Sequence, residues 1–66
     1  MPMNQKFIAH IGERRESVLD LAAKLEVAES TVWRWLRGKN RPVMSLRRAI
    51  ARETDGAVPV KSWGES

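Results

Sequence analysis

The chain has no cysteine. That excludes disulfides, a thiolate metal site and a cysteine nucleophile. Its single histidine, His10, lacks the partners that a zinc site needs. No apolar run approaches the roughly eighteen residues that span a bilayer. The amino-terminal Met1-Pro2-Met3-Asn4-Gln5-Lys6 has no hydrophobic core of the secretory type. No serine, histidine and acid combine into a nucleophilic set, and no glycine-rich loop is present to cradle a phosphate. At 66 residues the chain makes one small domain, too small for an enclosed ligand pocket. No enzymatic activity, metal, cofactor, membrane or small-molecule ligand is therefore expected.

A further absence is local. Residues 30–52 contain no acid, yet they hold Arg34, Arg37, Lys39, Arg41, Arg47, Arg48 and Arg52. The preceding 29 residues are balanced, with Glu13, Glu16, Asp20, Glu26 and Glu29 against Lys6, Arg14, Arg15 and Lys24. The net charge is +4 and the pI about 10.4. One basic face on a balanced body is the pattern of a polyanion binder.

The apolar spacing is helical throughout, and no segment alternates as a strand does. Phe7, Ile8 and Ile11 predict a first helix over residues 4–11, stopped at Gly12. Glu13-Arg14-Arg15-Glu16 reads as a charged connection. Ser17 and Asp20 then suggest a capping box opening a second helix, with Val18, Leu21, Ala22 and Leu25 buried. Asp20 and Lys24, one turn apart, predict a surface ion pair. Glu26-Val27-Ala28 is a candidate turn, and a third helix follows over residues 29–36 with Val32, Trp35 and Leu36 inward. Gly38 ends it, and Pro42 keeps the next stretch a loop. A fourth helix, from 44 or 45 to 53, is expected to bury Leu46, Ala49 and Ile50 and to expose Arg47, Arg48 and Arg52. Asp55 and Gly56 stop it. Residues 58–63 predict one last helical turn, with Pro59 at its first position. The expected fold is all-α, a compact bundle of four to five short helices forming one domain over residues 1–63. Residues 64–66 read as a disordered tail.

The second and third helices carry a more specific pattern. A small residue, Ala22, lets the next helix approach closely. An apolar plug, Val27, seals the turn, and Val32 and Trp35 stand five and eight residues after it. With Ser30-Thr31-Val32-Trp33-Arg34-Trp35-Leu36-Arg37-Gly38, this resembles the helix-turn-helix of the Cro and lambda-repressor-like family, with the motif at about 17–37. Ala49-Ile50-Ala51-Arg52-Glu53-Thr54-Asp55-Gly56-Ala57-Val58 is similar to the closing segment of the small YdaS-type, Cro-like group. The resemblance implies operator binding as a dimer, with the third helix in the DNA major groove.

Three positions depart from the family pattern. Glu26 replaces the usual glycine, so a left-handed backbone there costs roughly 1 kcal/mol, unless the turn takes another geometry. Ala28 replaces a capping Ser or Thr, forfeiting about 0.5–2 kcal/mol, partly offset by Glu29 at the positive end of the helix dipole. Val18 replaces a polar phosphate contact, which Ser17 is placed to take over.

By family position, Ala28, Glu29, Ser30, Trp33 and Arg34 are the base readers. Arg34 suits guanine O6 and N7, or else a phosphate. Glu29 suits cytosine N4, or else serves only the helix dipole. Trp33 packs on thymine methyls or a sugar edge, or folds back over the first helices, or anchors a partner. Phosphate contacts are assigned to Ser17, Thr31, Arg37, Lys39, Asn40 and Arg41. Trp63 either pins the tail to the core or joins a dimer contact with Ile50, Val58 and Val60.

The function expected is a sequence-specific transcriptional regulator bound to double-stranded DNA. The type expected is a Cro-like repressor of phage, prophage or toxin–antitoxin kind, cytoplasmic and nucleoid-associated. The alternatives are an activator contacting RNA polymerase, and an assembly module, such as an antitoxin holding a toxin or a phage packaging subunit.

Overall fold

The first helix begins at a cap. Asn4 Oδ1 accepts the Phe7 N–H at 3.1 Å, which satisfies one of the free donors of a helix start. The computed structural model describes residues 3–64. Among these, four α-helices follow one another: α1 (Gln5–Ile11), α2 (Arg15–Leu25), α3 (Glu29–Leu36) and α4 (Met44–Glu53). A 3₁₀ turn, Val60–Trp63, closes the fold. No strand is present among the described residues.

The start of α2 corrects the expected capping box. The helix begins at Arg15, with no side-chain bond capping it. Ser17 thus lies within the first turn, and the Val18 N–H bonds to the Arg14 carbonyl at 3.1 Å. Arg15 and Glu16 are good helix formers, and Glu16 also favours the positive end of the dipole, so the helix extends backward through them.

Three helices end through the same backbone device, paired i−3 and i−5 hydrogen bonds around one left-handed residue. After α2 that residue is Glu26, at φ 58° and ψ 44°. Its N–H bonds to the Ala23 carbonyl at 3.2 Å, and the Val27 N–H to the Ala22 carbonyl at 3.0 Å. After α3 it is Gly38, at φ 71°, and after α4 it is Asp55, at φ 57°. The turn between α2 and α3 therefore keeps the left-handed geometry with glutamate in glycine's place. The conformational cost is about 1–2 kcal/mol.

Phe7, Val18, Val32, Ile50 and Val58 are fully buried. Each contributes roughly 1.5–3 kcal/mol by leaving water. α2 packs against α3 and α4, and α4 packs against the closing turn. Three aromatic rings tie the two ends of the chain to α3. Trp63 lies 4.9 Å from Phe7 and 6.4 Å from Trp35, centroid to centroid. Phe7 and Trp35 meet edge to face at 6.5 Å. Trp63 is thus a core residue that pins the tail. Its indole N–H has no hydrogen-bond partner among the described residues. Asn4 reinforces the closure by donating from Nδ2 to Ser62 Oγ at 3.0 Å.

α4 departs from expectation on its inner face: Ile50 is buried as expected, but Leu46 and Ala49 are only half-buried against the core. Arg47, expected on the surface, is buried at 6% exposure, and its Nε–H donates to the Pro42 carbonyl at 2.7 Å. It shares a helix face with Ile50 and Thr54, so the core side of α4 includes a cation. Pro59 precedes the closing turn in extended conformation and is not its first residue. Gly64, expected in the disordered tail, is placed by its N–H bonding to the Lys61 carbonyl at 3.1 Å. Glu65 and Ser66 of that expected tail lie outside the described residues.

Candidate nucleic-acid interface

α3 is held from behind and open in front. Val32, Trp35 and Leu36 are buried, while Ser30 and Arg34, one turn apart, are exposed together. Ala28 is exposed at the amino-terminal edge, its backbone extended before the helix. Thr31 is half-buried at the flank.

Glu29, Trp33 and Arg37 follow at four-residue spacing, and the structure joins them into one stripe. Glu29 Oε2 accepts the Trp33 indole N–H at 3.0 Å. The Arg37 guanidinium lies 5.3 Å from the centroid of the Trp33 ring, within cation–π reach. Trp33 is half-buried against the core, beside a groove lined by Met3, Ile8, Glu13 and Leu36. In the free chain it therefore folds back toward α1, one of the three placements expected for it.

A residue outside the expected set joins this stripe. Arg15, first in α2, donates Nε–H to the same Glu29 oxygen at 3.3 Å. The Trp33 hydrogen bond, and then Arg15, hold the Glu29 carboxyl below its ordinary value of 4.5. The carboxylate–indole half of this cluster is legible from i, i+4 spacing in the sequence. Arg15 is not, because its partner lies fourteen residues on and meets it only once α2 and α3 have packed.

Ser17 does not join the others. It is half-buried and borders a groove with His10, Asp20, Lys24 and Glu53, on the side of α2 that faces α1 and α4. Arg15, two residues earlier and about 200° around the helix, occupies the place beside α3. Lys24, bonded to Asp20 at 3.1 Å as expected, also reaches Glu53 at 3.9 Å. The Asp20 hydrogen bond and charge raise the Lys24 pKa.

The loop 37–43 leads directly out of α3. Arg37, Lys39 and Asn40 are exposed there, and Arg41 is half-buried next to Asn40 and Trp63. Arg48 and Arg52 are exposed on α4. The acid-free stretch therefore divides: Arg34, Arg37 and Lys39 are exposed on and after α3, Arg41 is half-buried in the loop, Arg48 and Arg52 lie out on α4, and Arg47 is inside. Of the residues assigned to a tail or dimer contact, Ile50, Val58 and Trp63 are buried within the chain and Val60 is half-buried. They hold the tail, and a second copy has little access to them.

Among the described residues no cluster of His, Asp and Glu is arranged to hold a metal ion. Among the described residues, too, no helix is long and apolar enough to cross a membrane. Compared with protein-family models, curated proteins and solved structures, the chain matches none.

Proposed function

We propose that this chain is a sequence-specific DNA-binding transcriptional regulator of the Cro-like helix-turn-helix kind, acting as a repressor. One observation carries the reading. The exposed Ser30–Arg34 face of α3 opens directly onto the cationic loop 37–41, with no acid between residues 30 and 52. In this reading α3 enters the major groove, where the Arg34 guanidinium donates twice to a guanine. Arg37, Lys39, Asn40 and Arg41 grip phosphates on the flank. Two copies bound to half-sites about one helical turn apart would occlude a promoter. Their pairing uses surface other than Ile50, Val58 and Trp63, which are interior.

Selection of bound sites from random duplexes tests specificity and symmetry together, because a dimer selects a palindrome. The three cations among these, Arg37, Lys39 and Arg41, give a slope of log K against log salt near −2.7, roughly a 40-fold loss between about 50 and 200 mM salt. Arg34→Ala should cost about 1–3 kcal/mol and relax one base position. Binding that is flat in salt would count against the whole reading. The half-buried Trp33 beside the groove of Met3, Ile8 and Leu36 favours a second reading, an assembly module that docks a protein there.

A further inference from the structure

Glu29 sits where the resemblance places a base reader, yet its geometry suits another task. Its side chain is 31% exposed and is drawn along the helix toward Trp33, away from the amino-terminal end of α3. One oxygen, Oε2, receives both the indole N–H at 3.0 Å and the Arg15 Nε–H at 3.3 Å. A carboxylate reading cytosine has to project outward into the groove, and it meets the repulsion of the phosphates on the way. Arg15 is placed oppositely. Its side chain is 75% exposed, and it stands beside Glu29 at the start of α3.

We propose that Glu29 is a latch on Arg15 rather than a base reader. In the free protein Glu29 holds the Arg15 guanidinium beside α3. On a duplex, a phosphate takes Arg15 while Glu29 stays bonded to Trp33. Arg15 thereby becomes a phosphate contact, and Glu29 a positioning residue that fixes the Trp33 ring and opposes binding until phosphate competes. This inference rests on the DNA-binding reading and adds a residue and a competition to it.

The experiment measures binding to a random-sequence duplex pool, and to the duplex selected by the wild type, over a series of salt concentrations. The proteins are wild type, Glu29→Gln, Arg15→Ala and the double variant. Glutamine keeps an acceptor for the indole and removes the charge, so Glu29→Gln should bind several-fold tighter with the same base preference. Arg15→Ala should lower the steepness of the salt dependence by about 0.9, one phosphate's worth. In the Arg15→Ala background most of the gain from Glu29→Gln should vanish. Weaker binding by Glu29→Gln with one base position altered would restore Glu29 as a reader and overturn the latch. An equal gain in both backgrounds would reduce Glu29 to a general repeller of DNA, with the same consequence. An unchanged salt slope in Arg15→Ala would remove Arg15 from the interface. Wild type that binds neither duplex is a different failure, because it removes the DNA-binding reading itself.

Discussion

The guanidinium of Arg47 lies inside the protein, with its Nε–H 2.7 Å from the carbonyl oxygen of Pro42. This bond ties the buried face of α4 to the loop that follows α3. Removing the donor leaves a buried carbonyl unsatisfied and a void where the side-chain stem packed. Arg47→Ala should therefore cost about 2–3 kcal/mol in urea unfolding. Arg48→Ala, one residue along on the exposed face, should stay within about 0.5 kcal/mol. Equal effects of the two would mean that the bond to Pro42 does not hold the loop.

Arg47 also marks where the sequence stops being readable. The spacing of Leu46, Ala49 and Ile50 locates α4, and Val32, Trp35 and Leu36 locate α3, because apolar side chains must share one face. A cation three residues before the fully buried Ile50 contradicts its own residue type. Only a loop carbonyl brought there by tertiary packing accounts for it. Asn4 and Ser62, 58 residues apart, and Arg15 and Glu29 are invisible for the same reason. The Ser17 capping box failed for a different one. Favourable helix formers upstream extended α2 past a plausible cap.

Glu26 carries conformational strain that glycine would remove. At φ 58° its Cβ is crowded by its own backbone. Glu26→Gly should relieve this, less the extra freedom that glycine has in the unfolded chain. The net gain should be roughly 0.5–1 kcal/mol. For a domain of this size that raises Tm by about 2–8 °C, which calorimetry can resolve. A lower Tm would mean that the glutamate side chain makes a compensating contact.

Thr54 links α4 to the tail through one hydroxyl. Its O–H donates to the Ile50 carbonyl at 2.7 Å, and its Oγ1 accepts the buried Val58 N–H at 3.1 Å. Thr54→Val preserves the shape but strands that N–H without an acceptor. The Ile50 carbonyl keeps the Thr54 backbone N–H at 2.9 Å, so the loss falls mainly on Val58. The variant should be destabilised by about 1–3 kcal/mol. Thr54→Ser keeps both bonds and loses one buried methyl, about 0.8 kcal/mol. Chemical denaturation should thus rank wild type above serine and serine above valine.

The stripe on α3 should leave a mark on the acid limb of the stability profile. The Trp33 hydrogen bond, and then Arg15, depress the Glu29 pKa in the folded state below 4.5. A carboxyl depressed on folding binds its proton more readily in the unfolded chain. Its contribution is therefore fully present above the unfolded pKa and disappears as pH falls through the folded value. Glu29→Gln keeps the indole acceptor but cannot titrate, so its stability should fall less steeply below about pH 4.5. Urea midpoints measured from neutral pH downward should show the wild-type curve converging toward the variant in acid. Curves that stay parallel would mean that the carboxylate's bonds to Trp33 and Arg15 do not favour its charged form in solution.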